Sequence, residues 1–438
     1  MLTLKINNIV KIQGILMLSW RKKAIMGKNK VALIVFAVII AASLLTTIIF
    51  RGDTEEAVVK MLSISKELVV KERGLNFSSD VDYKIVTSSW VRKNWGKISE
   101  ADRQKYLVTG EIYHLLRIIP WNVDLLKIVE GQRGAAMAAA VGNTVYIVKE
   151  YFNAEYEAYT VEILVHELTH VLQRQNLPQC NPEFYDETMA WYSLIEGDAL
   201  LTAYNVATKY YNYTPFRVSL GYPDNYTEPL RMLWLFPYAY GDDFVMELYD
   251  IGGWELVNEC YSNPPLTTMQ ILHPDKYLAG IRYSKVYAPT IPGFRMLYSD
   301  RMGEFFVNVF IGVNAGPKYV NVSSGWRGDN LTLQSKDNVS ILLWVTLWDE
   351  EEHAELFYET VREAYLDFGN LTEKGTIVAD GVYYAFLLQD SRVYVLASKD
   401  ESYVLEAMSE VRLTFSSIHS RYSLSPSAIF KAIISGTS

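Results

Sequence analysis

Cysteine and histidine are scarce in this 438-residue chain, with two and six copies. At most one disulfide can form, and the position of every histidine carries information. Positive charge is also short, with 41 Lys and Arg against 50 Asp and Glu for a net charge of -9. No basic cluster alternates with aromatic residues in the body of the chain, which argues against nucleic acid as a partner. One long apolar run occurs near the N-terminus and no second one follows. Half of the residues are hydrophobic, enough for a large core and for two domains with additions.

The single apolar run, Val31 to Phe50, contains no charged residue, Pro or Gly. As a helix it would span about 30 Å, the thickness of a bilayer core, so a lipid bilayer is an expected partner through residues 31–50. Lys5, Lys11, Arg21, Lys22, Lys23, Lys28 and Lys30 precede it, and Asp53, Glu55 and Glu56 follow. That bias places the N-terminus in the cytoplasm and the rest of the chain outside. A cleaved signal peptide is the alternative, and Met26 is an alternative start. Seven Asn-x-Ser/Thr sequons, at Asn76, Asn212, Asn225, Asn321, Asn330, Asn338 and Asn370, all lie after the apolar run, as expected of an exterior glycoprotein. Cys180 and Cys260 could pair there, or remain free buried thiols. The 31 tyrosines with few cysteines fit an archaeal surface protein.

The sequence His166-Glu167-Leu168-Thr169-His170 places two imidazoles one helical turn apart with a carboxylate between them. Residues at i and i+4 share a helix face, so His166 and His170 can bind one metal ion while Glu167 lies beside its open position. Zinc lowers the pKa of water from 15.7 to roughly 7, and a carboxylate so placed acts as general base for attack on a peptide carbonyl. Val161, Leu164, Val165, Leu168, Val171 and Leu172 give Tyr159 to Gln173 a helical period without Gly or Pro. Two surface histidines on an ordinary helix are the bland alternative.

Catalytic zinc usually takes three protein ligands. The next helical stretch, Asp186 to Tyr210, offers Glu187, Glu196 and Asp198. Glu187 and Glu196 are nine positions apart, which at about 100° per residue puts them on opposite faces. Glu187 falls in the first turn, where a carboxylate offsets the helix dipole. Glu196 has Tyr192, Ser193, Ala199 and Leu200 around it, a costly surrounding for an unpaired carboxylate. Glu196 is therefore chosen as third ligand, ahead of Glu187 and Asp198. The adjacent Gly197 would let another backbone approach closely.

With these residues in place the sequence resembles the gluzincin type of zinc metallopeptidase, in which a Glu on a second helix completes the site. More narrowly it resembles a poorly characterised group of secreted or membrane-anchored metallopeptidases. The resemblance rests on residues 166–173 and 194–199, and on a later series from Phe236-Pro237-Tyr238 and Gly252-Gly253-Trp254 through Pro264-Pro265 and residues 270–274 to Lys276-Tyr277. Gly325-Trp326 and Trp348-Asp349 complete it. It covers about residues 140 to 400, and it implies zinc as cofactor and a peptide or protein as substrate. One departure stands out: thermolysin-like members carry Asp four residues after the ligand Glu, and Leu200 occupies that position, so support for the histidines must come from elsewhere. His273, fixed before Pro274, is a candidate to stabilise the charge that builds on the carbonyl oxygen; a loop histidine bonded to backbone is the alternative. His114, His353 and His419 are not expected to be ligands. Asn143 to Val148 reads as a strand, either the sheet edge on which an extended peptide lies or an ordinary core strand in which Tyr146 only packs.

The expected fold class is α+β. A basic tail (1–30) and the membrane helix (31–50) lead into a stalk helix (51–80). A mostly helical zincin-like catalytic domain with a small edge sheet (81–305) comes next. Then follows a smaller domain (310–420) of two strand-strand-helix units, the first helix with Asp349 and Glu352 arranged as a capping box. The expected function is that of a membrane-anchored, extracellular zinc metalloendopeptidase. Its rival is a non-catalytic cell-surface protein that binds peptide or glycan, and hydrolysis of a non-peptide amide would differ only in substrate.

Overall fold

In the computed structural model, residues 55–132, 137–217 and 228–422 are described. The expected cytoplasmic tail and membrane helix lie outside these residues. Among the described residues no helix is long and apolar enough to cross a membrane.

The chain is α+β, as expected. It opens with α1 (Glu55–Arg73), β1 (Asp82–Val86), α2 (Ser88–Trp95), α3 (Glu100–Leu115), α4 (Leu125–Gln132), β2 (Ala138–Val141) and β3 (Thr144–Val148). Two helices carry the sequence motifs, α5 (Glu157–Asn176) and α6 (Tyr185–Tyr211), and α7 (Glu228–Ser262), α8 (Thr268–Leu272) and α9 (Pro274–Leu278) follow. The remainder runs β4 (Arg295–Asp300), α10 (Gly303–Asn314), β5 (Trp326–Lys336), β6 (Val339–Trp348), α11 (Glu351–Phe368), β7 (Asn370–Leu371), β8 (Ile377–Ala379), β9 (Val382–Gln389), β10 (Arg392–Ser398) and α12 (Glu401–Tyr422).

Periodicity explains the packing of α5. Val161, Leu164, Val165, Leu168, Val171 and Leu172 are all buried, and they face a core made with α1 and the small sheet. The opposite, half-buried face carries Glu162, Ile163, His166, Glu167 and His170. Helix α6 contributes to two cores, through Met189, Ala190, Trp191 and Leu194 on one side and Ala203 and Val206 on the other. It therefore sits at the centre of the helical half.

Two expectations about this half are corrected. The helix expected to be a stalk exists, but Val58, Met61, Leu62, Ser65 and Val69 are buried against α5 and the small sheet; its apolar stripe has a partner and it does not stand clear. The strand expected at a sheet edge is central instead. The three-stranded order is β1-β3-β2, with β3 parallel to β1 and antiparallel to β2, so the edges belong to β1 and β2. Tyr146 stacks on Trp90 at 5.6 Å, the packing role given as the alternative.

The second sheet is antiparallel, in the order β4-β5-β6-β10-β9-β8-β7. Alternation along β6 sends Leu342 and Trp344 towards α10 and α11, and Ile341, Leu343 and Val345 towards α12. Both expected strand-strand-helix units are present, as β5-β6-α11 and β9-β10-α12. The sheet begins at Arg295, upstream of the expected boundary. One core runs from Ile112 through the α6 and α7 residues to Ala397, so the helical half and this sheet share an interior. The capping box is absent: α11 has Glu350 at its N-cap without a side-chain bond, and Asp349 is taken by His353 Nδ1 at 2.6 Å. Cys180 and Cys260 are free thiols, the latter buried.

The start of α6 is tied to that sheet. Asp300 Oδ1 accepts from the Tyr185 backbone N–H at 2.8 Å. Arg301 Nε pairs with the buried Asp186 at 2.9 Å, and Thr268 gives the same carboxylate two further bonds at 2.7 Å.

Candidate metal centre

Helices α5 and α6 bring His166, His170 and Glu196 together into a group able to hold a metal ion. His166 Nε2 and His170 Nε2 are 3.2 Å apart, and Glu196 Oε2 lies 3.3 Å from the first and 3.4 Å from the second. The three donor atoms form a nearly equilateral triangle. Bonds of about 2.0 to 2.1 Å at the tetrahedral angle put ligand atoms about 3.3 Å apart, so these residues fit a tetrahedral cation. A second observation agrees: Glu196 Oε2 is buried with no hydrogen-bond partner, an arrangement that costs free energy unless a cation meets it.

Electrostatics follow from this crowding. Burial alone would raise the Glu196 pKa, but His170 and His166 hold it well below the usual carboxylate range. Burial opposes charge on His170, yet Glu196, helped by Glu167 and Gln173, lifts that imidazole to about 9.

A relay of side chains orients His170. Its Nδ1 meets Gln173 Oε1 at 2.9 Å, and because an amide oxygen only accepts, Nδ1 carries the proton and Nε2 keeps its lone pair for a metal. The Gln173 amide is held by its nitrogen, which donates to the Ile195 carbonyl at 2.9 Å and to Asp198 Oδ2 at 3.1 Å. Asp198 is buried and pairs with Arg73 at 2.8 Å, while the Tyr261 hydroxyl donates to it at 2.7 Å. Support from elsewhere, required by Leu200, therefore starts at the end of α1 and passes through Asp198 and Gln173. A Cβ on Gly197 would overlap the Gly241 carbonyl of α7, the close backbone approach expected there.

The other candidates are placed elsewhere. Asp198 is the partner of Arg73, and Glu187 Oε2 accepts from the Glu183 backbone N–H at 3.1 Å, the helix-start role given to it. His273 has a carboxylate partner: its Nε2 lies 2.9 Å from the buried Glu304 Oε1 on α10, and it does not line the cavity beside His166 and Glu167.

That cavity, about 190 Å³, is walled by Glu162, His166 and Glu167 of α5, by Leu200, Ala203 and Tyr204 of α6, and by Met137 and Ala138 at the β2 edge. Two residues here had no assigned role. Tyr238, half-buried on α7, has its pKa raised by burial and by the Glu196 and Glu167 carboxylates. Its Phe-Pro-Tyr block was the only signal in the sequence. Glu162 is pushed up to about 7 by burial, against the pull of His166 and Tyr213.

Comparison with known proteins adds little chemistry. Residues 294–411 match a domain of unknown function (DUF8575), a segment that coincides with the seven-stranded sheet and the helices on it. No curated protein matches the chain. Among solved structures, a chain from Chloroflexus aurantiacus described as a "putative hydrolase with a novel fold" is similar at 16% identity and a TM-score of 0.36, over 53% of this chain and 92% of that one.

Proposed function

We propose that this protein is a zinc-dependent metallopeptidase of gluzincin type, anchored in a membrane with its catalytic unit outside. The observation that carries the proposal is the triangle of donor atoms on His166, His170 and Glu196, with Glu167 on the same half-buried face of α5. Two imidazoles and one carboxylate suit zinc among the biological cations. When bound, zinc supplies Lewis acidity, which polarises a carbonyl and acidifies water. Glu167 takes the proton released as water adds to the peptide carbon and delivers it to the departing amine. The Tyr238 phenol, whose pKa the Glu196 and Glu167 carboxylates raise, would donate to the carbonyl oxygen as charge develops there. The outer edge of β2 pairs with no strand among those described, and Ala138 on it lines the cavity. An extended peptide added to that edge would run past the metal centre.

The outside location is supported by the apolar run and its charge bias. It is further supported by the sequons: of the six within the described residues, Asn76, Asn212, Asn321, Asn338 and Asn370 are exposed and Asn330 is half-buried.

A peptide library incubated with the full-length protein in detergent tests the proposal. Cleavage is expected to stop on chelation, to return with zinc, and to be lost in Glu167→Gln while zinc stays bound. Stoichiometric zinc with no peptide turned over by the unmodified protein would overturn it in favour of a binding protein.

A further inference from the structure

We propose that the cavity beside His166 and Glu167 is a subsite for a cationic group of the substrate, an ammonium or a guanidinium, with Glu162 as its counter-ion. This rests on the peptidase proposal above and names the class of substrate.

Glu162 lies one helical turn before His166 on the half-buried face of α5 and forms part of the cavity wall. Tyr213 favours the charged carboxylate, but Oε2 is buried with no hydrogen-bond partner. Within the described residues no Lys or Arg pairs with it. The one guanidinium in the wall, Arg217, is held by Asp242 and by Asp243 at 2.7 Å, so its charge is already met. Glu162 and Glu167 leave the cavity acidic.

An anionic group, or a neutral one with no hydrogen to donate, would leave the Glu162 oxygen orphaned, whereas a cation would satisfy it with a charge-assisted bond. Such a site discriminates by its unmet need: hydrogen bonds to charged groups are worth enough for a difference of about 10- to 100-fold in binding. Tyr204 and the exposed Phe216, also in the wall, present aromatic surface that a cation tolerates well. The cation could be a Lys or Arg side chain or the free amino terminus of a peptide.

The test measures binding of fluorescent peptides to the zinc-loaded, full-length Glu167→Gln protein, so that nothing is consumed. Matched peptides carry Lys, Arg, norleucine or Glu at each position in turn, with free or acetylated amino termini. Lys and Arg peptides are expected to bind about 10- to 100-fold more tightly than norleucine peptides, with Glu peptides weakest, and Glu162→Gln should erase the difference. If acetylation alone removes the preference, the recognised cation is the amino terminus. Binding without charge preference, or a preference that survives Glu162→Gln in a variant with normal zinc content and thermal unfolding, would overturn this inference and leave the peptidase proposal standing. Failure of every peptide to bind or be cleaved would overturn both. Should Glu162→Gln fail to fold, the ranking of the peptides against the unsubstituted Glu162 site still decides the matter.

Discussion

Replacing Gln173 with Met tests how the metal centre is held. The side chains are similar in length, but Met can neither accept from His170 Nδ1 nor donate to Asp198. Three contacts are lost, to His170 at 2.9 Å, to the Ile195 carbonyl at 2.9 Å and to Asp198 at 3.1 Å. Asp198 keeps Arg73 and Tyr261, so the buried charge remains compensated and the fold should survive. His170 loses the acceptor that fixes its tautomer. An unmet buried N–H costs about 1 to 3 kcal/mol, and loss of an outer partner of a metal-binding His typically costs about 10- to 100-fold in metal affinity, the same range at about 1.4 kcal/mol per factor of ten. Gln173→Met is therefore expected to bind zinc about 10- to 100-fold more weakly in competition with a chelator, with near-normal circular dichroism. Zinc affinity within twofold of the unmodified protein would refute the relay from Arg73 through Asp198 and Gln173.

Two further outcomes are expected. Gly197→Ala drives a methyl group into the Gly241 carbonyl, forcing α6 and α7 apart at a cost on the order of 1 to 3 kcal/mol; an unchanged thermal midpoint would contradict that close approach. In metal-free protein, His170 is lifted from 6.5 to about 9 and Glu196 is lowered from 4.5. The stabilisation from His170 is thus fully present below pH 6.5 and fades as pH rises through about 9, while that from Glu196 is present above pH 4.5 and fades in acid. Denaturant midpoints of chelated protein should fall between pH 6.5 and 9, and a flat profile, or the same fall in Glu196→Gln, would count against the coupling.

What could be foreseen from the sequence depended on how local the signal was. The facing of His166, Glu167 and His170 follows from helix geometry within five residues, and Glu196 from the cost of an unpaired carboxylate one helix later. Gln173 lay inside the same stretch, but an amide on a helix looks alike whether it meets solvent or a histidine. Arg73 could not be linked to Asp198 without knowing that α1 folds back against α5. The partner of His273 was hidden for a related reason, since its neighbours in sequence say nothing of Glu304 arriving from α10. The strands β5, β6, β9 and β10 of the second sheet were visible as apolar runs on either side of turn residues. The two-residue β7 and three-residue β8 are too short to carry a period. Whether β3 is central or at an edge depends on β1, about sixty residues earlier in the chain, and no pattern inside β3 records it.

The ties between α6 and the sheet bear on how such a protein can be divided. A fragment ending before Arg295 would keep Asp186 in the interior without its guanidinium, a loss of about 3 to 5 kcal/mol, and would loosen the first turn of the helix that presents Glu196. Exchange of the sheet for another by recombination would have to restore that ion pair in the same event. The helices that carry His166, His170 and Glu196 and the sheet behind them are thus expected to be inherited as one piece and to melt in one transition.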